Sequence, residues 1–227
     1  DNIGIIGGGI LDGSGEKWWT FRFFRPNFVQ LMNGKNILIQ DITVRNSPSW
    51  NLNPVYCDNV TIKGVHIENP NNSPNTDGID PDSSRNVLIS NCTISVGDDC
   101  LVIKSGLGVQ GRHINRPSEN IVVTDCLMRS GHGGIVIGSE MSGGVRNVTV
   151  SNCVFDGTDN GVRIKSTRGR GGIVKDIKIS DIVMKNIVRT GITINMFYTK
   201  SAFEPFSERT PQFRDINLRN ISGTAKQ

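Results

Sequence analysis

Short runs of alternating apolar and polar residues recur along the chain, each opened by Asn or Asp. They read Asn36-Ile-Leu-Ile, Asn59-Val-Thr-Ile, Asn86-Val-Leu-Ile, Asn120-Ile-Val-Val and Asn147-Val-Thr-Val; Asp176-Ile-Lys-Ile and Asp215-Ile-Asn-Leu continue the series and Asn2-Ile-Gly-Ile begins it. A period of two marks strands with one buried face. Successive anchors from Asn36 lie 23, 27, 34, 27, 29 and 39 residues apart, the spacing of fixed strands joined by variable loops. A second strand recurs later in each unit, as Gly78-Ile-Asp-Pro, Cys100-Leu-Val-Ile, Gly134-Ile-Val-Ile, Gly161-Val-Arg-Ile and Gly191-Ile-Thr-Ile. Several strands in so few residues, with no amphipathic helix between them, predict an all-β fold: a right-handed parallel β-helix in which each unit is one coil. A propeller is the competing architecture, but its blades need about 40–45 residues and antiparallel hairpins, more than most of these units supply.

Cys92, Cys126 and Cys153 each fall six residues after their anchors, where other coils carry Ile42, Val65 and Ile182. The position is therefore interior, and the thiols are expected to stack as small apolar side chains without disulfides. No C-x-x-C occurs, and His66 and His113 have no partner at ligand spacing, so no structural metal and no cofactor are expected.

Composition agrees with strands: 26 Gly, almost no Ala, and abundant Val, Ile, Thr and Asn. No apolar run is long enough to span a membrane. The net charge of +4 permits a polyanionic partner, but the basic residues come singly apart from the cluster Arg163 to Arg170, which argues against nucleic acid. Gly7-Gly8-Gly9 precedes no helix pattern and reads as a turn. The glycosylation sequons at Asn59, Asn91, Asn147 and Asn220 mostly coincide with repeat strands and read as chance.

Candidate chemistry lies on the second strand. With Ile79, Leu101, Ile135 and Val162 facing the core, the outward residues are Asp80 and Asp82, Val102 and Lys104, Val136 and Gly138, and Arg163 and Lys165. Asn75-Thr76-Asp77, Asp98-Asp99 and Gly131-His132-Gly133 stand immediately before that strand in three successive coils. Coils stacked at roughly 4.8 Å would bring these groups into one column. Carboxylates so close cannot all ionise freely; one pKa should rise, leaving a protonated acid beside an ionised base, as glycosidic cleavage requires. Arg and Lys nearby would hold an acidic sugar's carboxylate.

At these residues the sequence closely resembles the polygalacturonase family, pectin-hydrolysing glycosidases of family 28 built on a pectin lyase-like solenoid. Four motifs carry the resemblance in order: Asn75-Thr76-Asp77, Asp98-Asp99, Gly131-His132-Gly133 and Arg163-Ile164-Lys165. The resemblance implies inverting hydrolysis of α-1,4-galacturonosidic bonds. In it Asp98 is the general acid, Asp77 and Asp99 activate water, and His132 tunes the acid or orients substrate. Asn75, Arg163, Lys165 and Tyr198 are implied substrate-binding residues. A one-coil offset puts Asp77 and Asp99 roughly 5 Å apart, which by the general rule suggests retention rather than inversion; side-chain direction decides between rule and family. Gly-His-Gly favours polygalacturonate over a rhamnogalacturonan chain. The segment Gly106 to Glu119 lengthens one coil and either shapes the cleft or is an ordinary surface loop.

The resulting expectation is a single parallel β-helix catalytic domain over 1–227. It is expected to be a fragment lacking part of its N- and C-terminal ends, and so poorly stable in isolation. The expected partner is a polygalacturonate or pectin oligosaccharide, with no nucleic acid and no membrane. The chain is expected to be a monomer, secreted or periplasmic. Two rivals remain: a calcium-dependent pectate lyase, with calcium on Asp77, Asp80, Asp98 and Asp99, and a non-catalytic β-helix that binds acidic glycan.

Overall fold

The computed structural model describes residues 1–21 and 24–226. Its strands stack in three parallel faces around one apolar core, the right-handed parallel β-helix the repeat predicts. The first face runs Ile3–Ile6, Lys35–Gln40, Asp58–Lys63, Arg85–Ser90 and Ser118–Thr124 into the leading halves of Val145–Asp156 and Ile173–Ile187. The second stacks Ile10–Asp12, Thr43–Arg45, His66–Glu68, Thr93–Ser95 and Leu127–Ser130 into the trailing half of Val145–Asp156. The third stacks Val29–Met32 on Leu52–Val55, and Leu101–Ile103 on Ile135–Ile137, Asn160–Lys165 and Thr190–Asn195. Ile79 and Asp82 bridge the two groups of the third face.

The Asn and Asp anchors are the corners of the coil. Asn36, Asn59, Asn86, Asn120, Asn147, Asp176 and Asp215 all adopt left-handed backbone, with φ between 54° and 59°. Asn and Asp tolerate that region better than other side-chain-bearing residues, so the residue type follows from the bend. A second left-handed corner falls five residues later, at Asp41, Asn91, Asp125, Asn152, Asp181 and Asn220, with Gly64 in the remaining coil. Amides at the first corner stack into a ladder: Asn59 Nδ2 donates to Asn36 Oδ1 at 2.7 Å, Asn120 to Asn86 at 3.0 Å and Asn147 to Asn120 at 3.2 Å.

Between corners the alternating residues point inward onto their counterparts one coil away. Ile37, Val60, Val87, Ile121, Val148 and Ile177 form one such column, all buried. Each fully buried aliphatic side chain contributes roughly 1.5–3 kcal/mol, so stability is distributed rung by rung. Cys92, Cys126 and Cys153 lie in register, buried and unbridged, and each Sγ donates to a backbone carbonyl, of Ser90, Thr124 and Ser151.

Two features depart from the sequence reading. The segment from Gly106 to Glu119 contains a short helix, Gly108–Ile114, where no helix was expected. Arg112 fastens it to the loop beyond the third face, donating to the carbonyls of Gly169 and Arg170 at 2.7 and 3.1 Å. Val102 and Val136 point outward as expected and stand apart from the core, yet neither is solvent-accessible, because a layer of charged side chains covers this part of the third face. Among the described residues no helix is long and apolar enough to cross a membrane.

Candidate active site

The covering layer is built by register. Leu52, Ile79, Leu101 and Ile135 are paired neighbours, so the residues two places earlier, Trp50, Asp77, Asp99 and Gly133, occupy equivalent places on consecutive rungs. One place earlier again, His132 follows Asp98, and its backbone N–H donates to the Asp98 carbonyl at 2.8 Å. Arg163 lies on the rung beyond Val136, and Lys165 two residues on. The predicted column exists: one carboxylate oxygen each from Asp77, Asp98 and Asp99 fall within 4.8 Å of one another.

The three carboxylates differ in depth. Side-chain exposure is 16% for Asp98, 4% for Asp77 and 2% for Asp99. The two deep ones are tied alike. Asp99 Oδ2 accepts from Lys165 Nζ at 2.7 Å, and Asp77 Oδ2 accepts from Lys104 Nζ at 3.4 Å. In both, the other oxygen, Oδ1, is buried with no hydrogen-bond partner among the described residues. A buried carboxylate oxygen is costly to leave unpaired, so each Oδ1 is a ready acceptor.

Asp98 is held at the rim. His132 Nδ1 lies 3.1 Å from its Oδ1, the Asp99 backbone N–H donates to the same oxygen at 2.9 Å, and Asn75 Nδ2 donates to Oδ2 at 3.3 Å. Asn75 is itself braced by Arg25, whose Nη2 donates to Asn75 Oδ1 and whose Nη1 donates to the carbonyls of Pro48 and Pro74.

Electrostatics separate the carboxyls. Burial pushes Asp77 up to about 7; Lys104 opposes the rise, and Asp98 and Asp99 add to it. Burial would raise Asp98 too, but the hydrogen bond and charge of His132 outweigh it and hold Asp98 below the usual carboxylate range. The same hydrogen bond raises His132. Between these two it is the deep Asp77 that is raised, chiefly by burial, and not Asp98, the expected acid.

Of the other sequence candidates, Arg163 makes no ion pair with any described residue and is half-buried beside the column. Tyr198 is exposed, its ring 5.6 Å from the Arg163 guanidinium, 4.9 Å from Lys165 Nζ and 5.8 Å from Arg170. Lys165 is committed to Asp99, so Arg163 is the cation most open to a ligand. Asp80 and Asp82 stay on the same face, away from the three-carboxylate cluster: Asp80 is fully buried, and Asp82 accepts from the Gly106 backbone N–H at 2.9 Å.

Lys104, Trp50, Glu140 and Arg170 belong to this layer but were not among the expected site residues. Lys104 Nζ lies 4.2 Å from the Trp50 ring centroid and 3.2 Å from Glu140 Oε2, and Arg170 reaches Glu140 Oε1 at 3.3 Å. Lys104 had a signal: it shares an outward column with Lys165. A divalent cation on Asp77, Asp98 and Asp99 would share that cluster with the two ammonium groups that already hold Asp77 and Asp99.

The family model for Glycosyl hydrolases family 28 matches residues 1–227. A probable polygalacturonase of Vitis vinifera is 40% identical over 232 residues, covering 96% of this chain and 47% of that protein. An endo-polygalacturonase of Pectobacterium carotovorum subsp. carotovorum is 34% identical over 242 residues, covering 99% of this chain and 57% of that one. Among solved structures, a hyperthermoactive exopolygalacturonase of Thermotoga maritima superposes with a TM-score of 0.84 at 40% identity, over 88% of this chain and 44% of its own. The chain thus spans about half the length of the curated relatives it matches.

Proposed function

The chain belongs to glycosyl hydrolase family 28, and from that membership we propose that it hydrolyses α-1,4-galacturonosidic bonds of polygalacturonate by a single displacement with inversion. Asp98 is the general acid. It is the one carboxyl of the three with appreciable solvent access, so it can meet a glycosidic oxygen. Asp77 and Asp99 activate the attacking water. The observation that carries this reading is the matched pair of lysine-tied carboxylates, each with its Oδ1 buried and unpaired.

Short spacing between carboxyls ordinarily accompanies retention, at about 5–5.5 Å against about 6.5–9.5 Å for inversion. A retaining nucleophile must touch the anomeric carbon. Asp77 and Asp99 are almost wholly enclosed and anchored through Oδ2, so a small water can bridge to them where a sugar ring cannot. Depth, not separation, favours inversion here.

The proton inventory fits the reaction. Inversion needs one proton on the acid and an ionised base. In the free protein the raised Asp77 and the lowered Asp98 place the proton on Asp77, within a cluster that titrates as a unit. Transfer from Asp77 to Asp98, across oxygens no more than 4.8 Å apart, converts the resting arrangement into the reactive one without change in total charge. Arg163 supplies the charge-assisted grip on the galacturonate carboxylate, Tyr198 an aromatic face, and Lys165 steadies Asp99 from beneath.

The decisive test is Asp98→Asn beside the parent on polygalacturonate, following reducing ends and absorbance of unsaturated products, with and without chelator. Chelator-insensitive reducing ends from the parent, reduced by about 100-fold or more in the variant, are expected. Equal product from both proteins, or ultraviolet-absorbing product that chelator abolishes, overturns the reading. NMR of the first product distinguishes the β-anomer of inversion from the α-anomer of retention.

A further inference from the structure

Beneath the reacting carboxylates lies a buried cation that ties Asp77 but also reaches two carboxyl groups outside the reacting cluster. Lys104 Nζ is 3.4 Å from Asp77 Oδ2, 3.6 Å from Asp80 Oδ1 and 3.2 Å from Glu140 Oε2, against the face of Trp50. Asp80 has no accessible surface, and neither of its oxygens has a hydrogen-bond partner among the described residues. Burial and the neighbouring Asp77 push its carboxyl well above the usual range, and Lys104 is the cation that opposes the rise. One ammonium stands between three carboxylates, and the only one of the three in the catalytic cluster is Asp77.

Such a placement is costly for packing alone. Buried charges persist where they are paired, and apolar substitutes of similar volume are often as stable. The ends of the network also differ. Glu140 is backed by Arg170 at 3.3 Å, whereas Asp80 is fully buried, so Lys104 is held by one braced and one enclosed carboxyl besides Asp77.

We propose that Lys104 is a positioning residue for the hydrolysis: anchored by Glu140 and Asp80, its ammonium clamps Asp77 Oδ2, leaving Oδ1 turned toward the attacking water and favouring the ionised base. The inference rests on the reading of Asp77 as a water-activating carboxylate. Asp77 faces Lys104 and Asp80 on one side and Asp98, Asp99 and Lys165 on the other. Of the two cations, Lys104 has the larger lowering effect on its ionisation.

The sign of each perturbation follows. Without Lys104, Asp77 binds the shared proton more tightly, so the alkaline limb of the pH profile of kcat/KM, where that proton is lost, moves up by about one pH unit or more. Without the charge of Glu140, Lys104 is left to Asp77 and Asp80 and a nearby negative charge is gone, so the limb moves down. General loosening of the site would not move the limb in opposite directions.

The experiment measures kcat/KM on polygalacturonate from pH 4 to 10 for the parent, Lys104→Met and Glu140→Gln, and follows carboxyl titration in the same proteins by NMR with 13C-labelled aspartate. Expected are an upward shift for Lys104→Met and a downward shift for Glu140→Gln, with the Asp77 carboxyl signal moving in parallel. An active parent whose alkaline limb stays fixed in both variants overturns the inference and leaves the proposed function standing. A parent that does not cleave polygalacturonate overturns the proposed function, and the Asp77 carboxyl titration then decides on Lys104 alone. If Lys104→Met does not fold, Glu140→Gln decides by itself: a downward shift supports the clamp, and no shift or an upward one defeats it.

Discussion

Asp99 and Gly133 occupy the same place on consecutive rungs, and a β-carbon at position 133 would lie 3.3 Å from Asp99 Oδ1 and 2.5 Å from Val136 Cγ2. The glycine keeps the space over the unpaired oxygen clear. Gly133→Ala is expected to lower kcat/KM on polygalacturonate at least about tenfold, while the overpacking costs about 1–3 kcal/mol of stability. Steady-state kinetics beside urea unfolding separate the two effects. Full activity in the folded variant would show that the space above Asp99 Oδ1 is not used.

The pairing of His132 with Asp98 is testable without substrate. Asp98 raises His132 through a hydrogen bond at 3.1 Å, so Asp98→Asn should return the imidazole toward its ordinary value of about 6.5. The chain has three histidines, and their ring protons can be resolved by proton NMR. The His132 midpoint should fall in the variant and those of His66 and His113 should not. An unchanged His132 midpoint would mean that the two groups do not share a proton in solution.

Asp77 links the site to stability. Its folded pKa, about 7, lies above the ordinary carboxyl value, so between roughly pH 4 and 7 the native state binds the proton more strongly than the unfolded chain does. Native stability contributed by this group is present at low pH and is lost as pH rises through 7. Asp77→Asn removes the ionisation, and is expected to raise the thermal midpoint at pH 8 by about 5 °C, leave it unchanged near pH 4, and abolish most activity. Thermal unfolding at the two pH values checks the sign; a midpoint that falls equally at both would show that the ionised carboxylate stabilises the fold.

How much of this could be read in advance depended on whether a feature belongs to the repeat. In a parallel coil, positions at a fixed offset from the strand start lie over one another, so Asp77, Asp99 and His132 could be stacked from spacing alone. The Asn anchors were visible for the same reason, although the left-handed corners that explain them, such as φ 56° at Asn120, appear only in the backbone. Trp50 and Arg25 come from coils whose third-face strand lacks the recurrent Gly-Ile start, so no alignment drew them in. Glu140 lies in a loop, outside any periodicity. The helix Gly108–Ile114 has no side-chain cap and exposes Val109 and Ile114, so tertiary bonds from Arg112 hold it where no local pattern announced it. That Asp77 and not Asp98 keeps the proton turned on burial of the one and the His132 contact of the other, and spacing carries neither.

Arg163 bears on what the site can tell apart. It stands beside the cluster, 5.6 Å from the Tyr198 ring centroid, with no ion pair to a described residue, whereas Lys165 and Lys104 are already tied to Asp99 and Asp77. A carboxylate on the substrate would complete its hydrogen bonding; a methyl ester would leave the guanidinium without its anion. Charge-assisted hydrogen bonds contribute about 1.5–3 kcal/mol, so Arg163→Ala should reduce kcat/KM on de-esterified polygalacturonate by roughly 10- to 100-fold. On a highly methyl-esterified chain the same change should matter far less, because the lost interaction was not being made. The parent is expected to prefer the free acid, and that preference should collapse in the variant. Parallel losses on both polymers would place Arg163 in the architecture of the site rather than in recognition of the carboxylate.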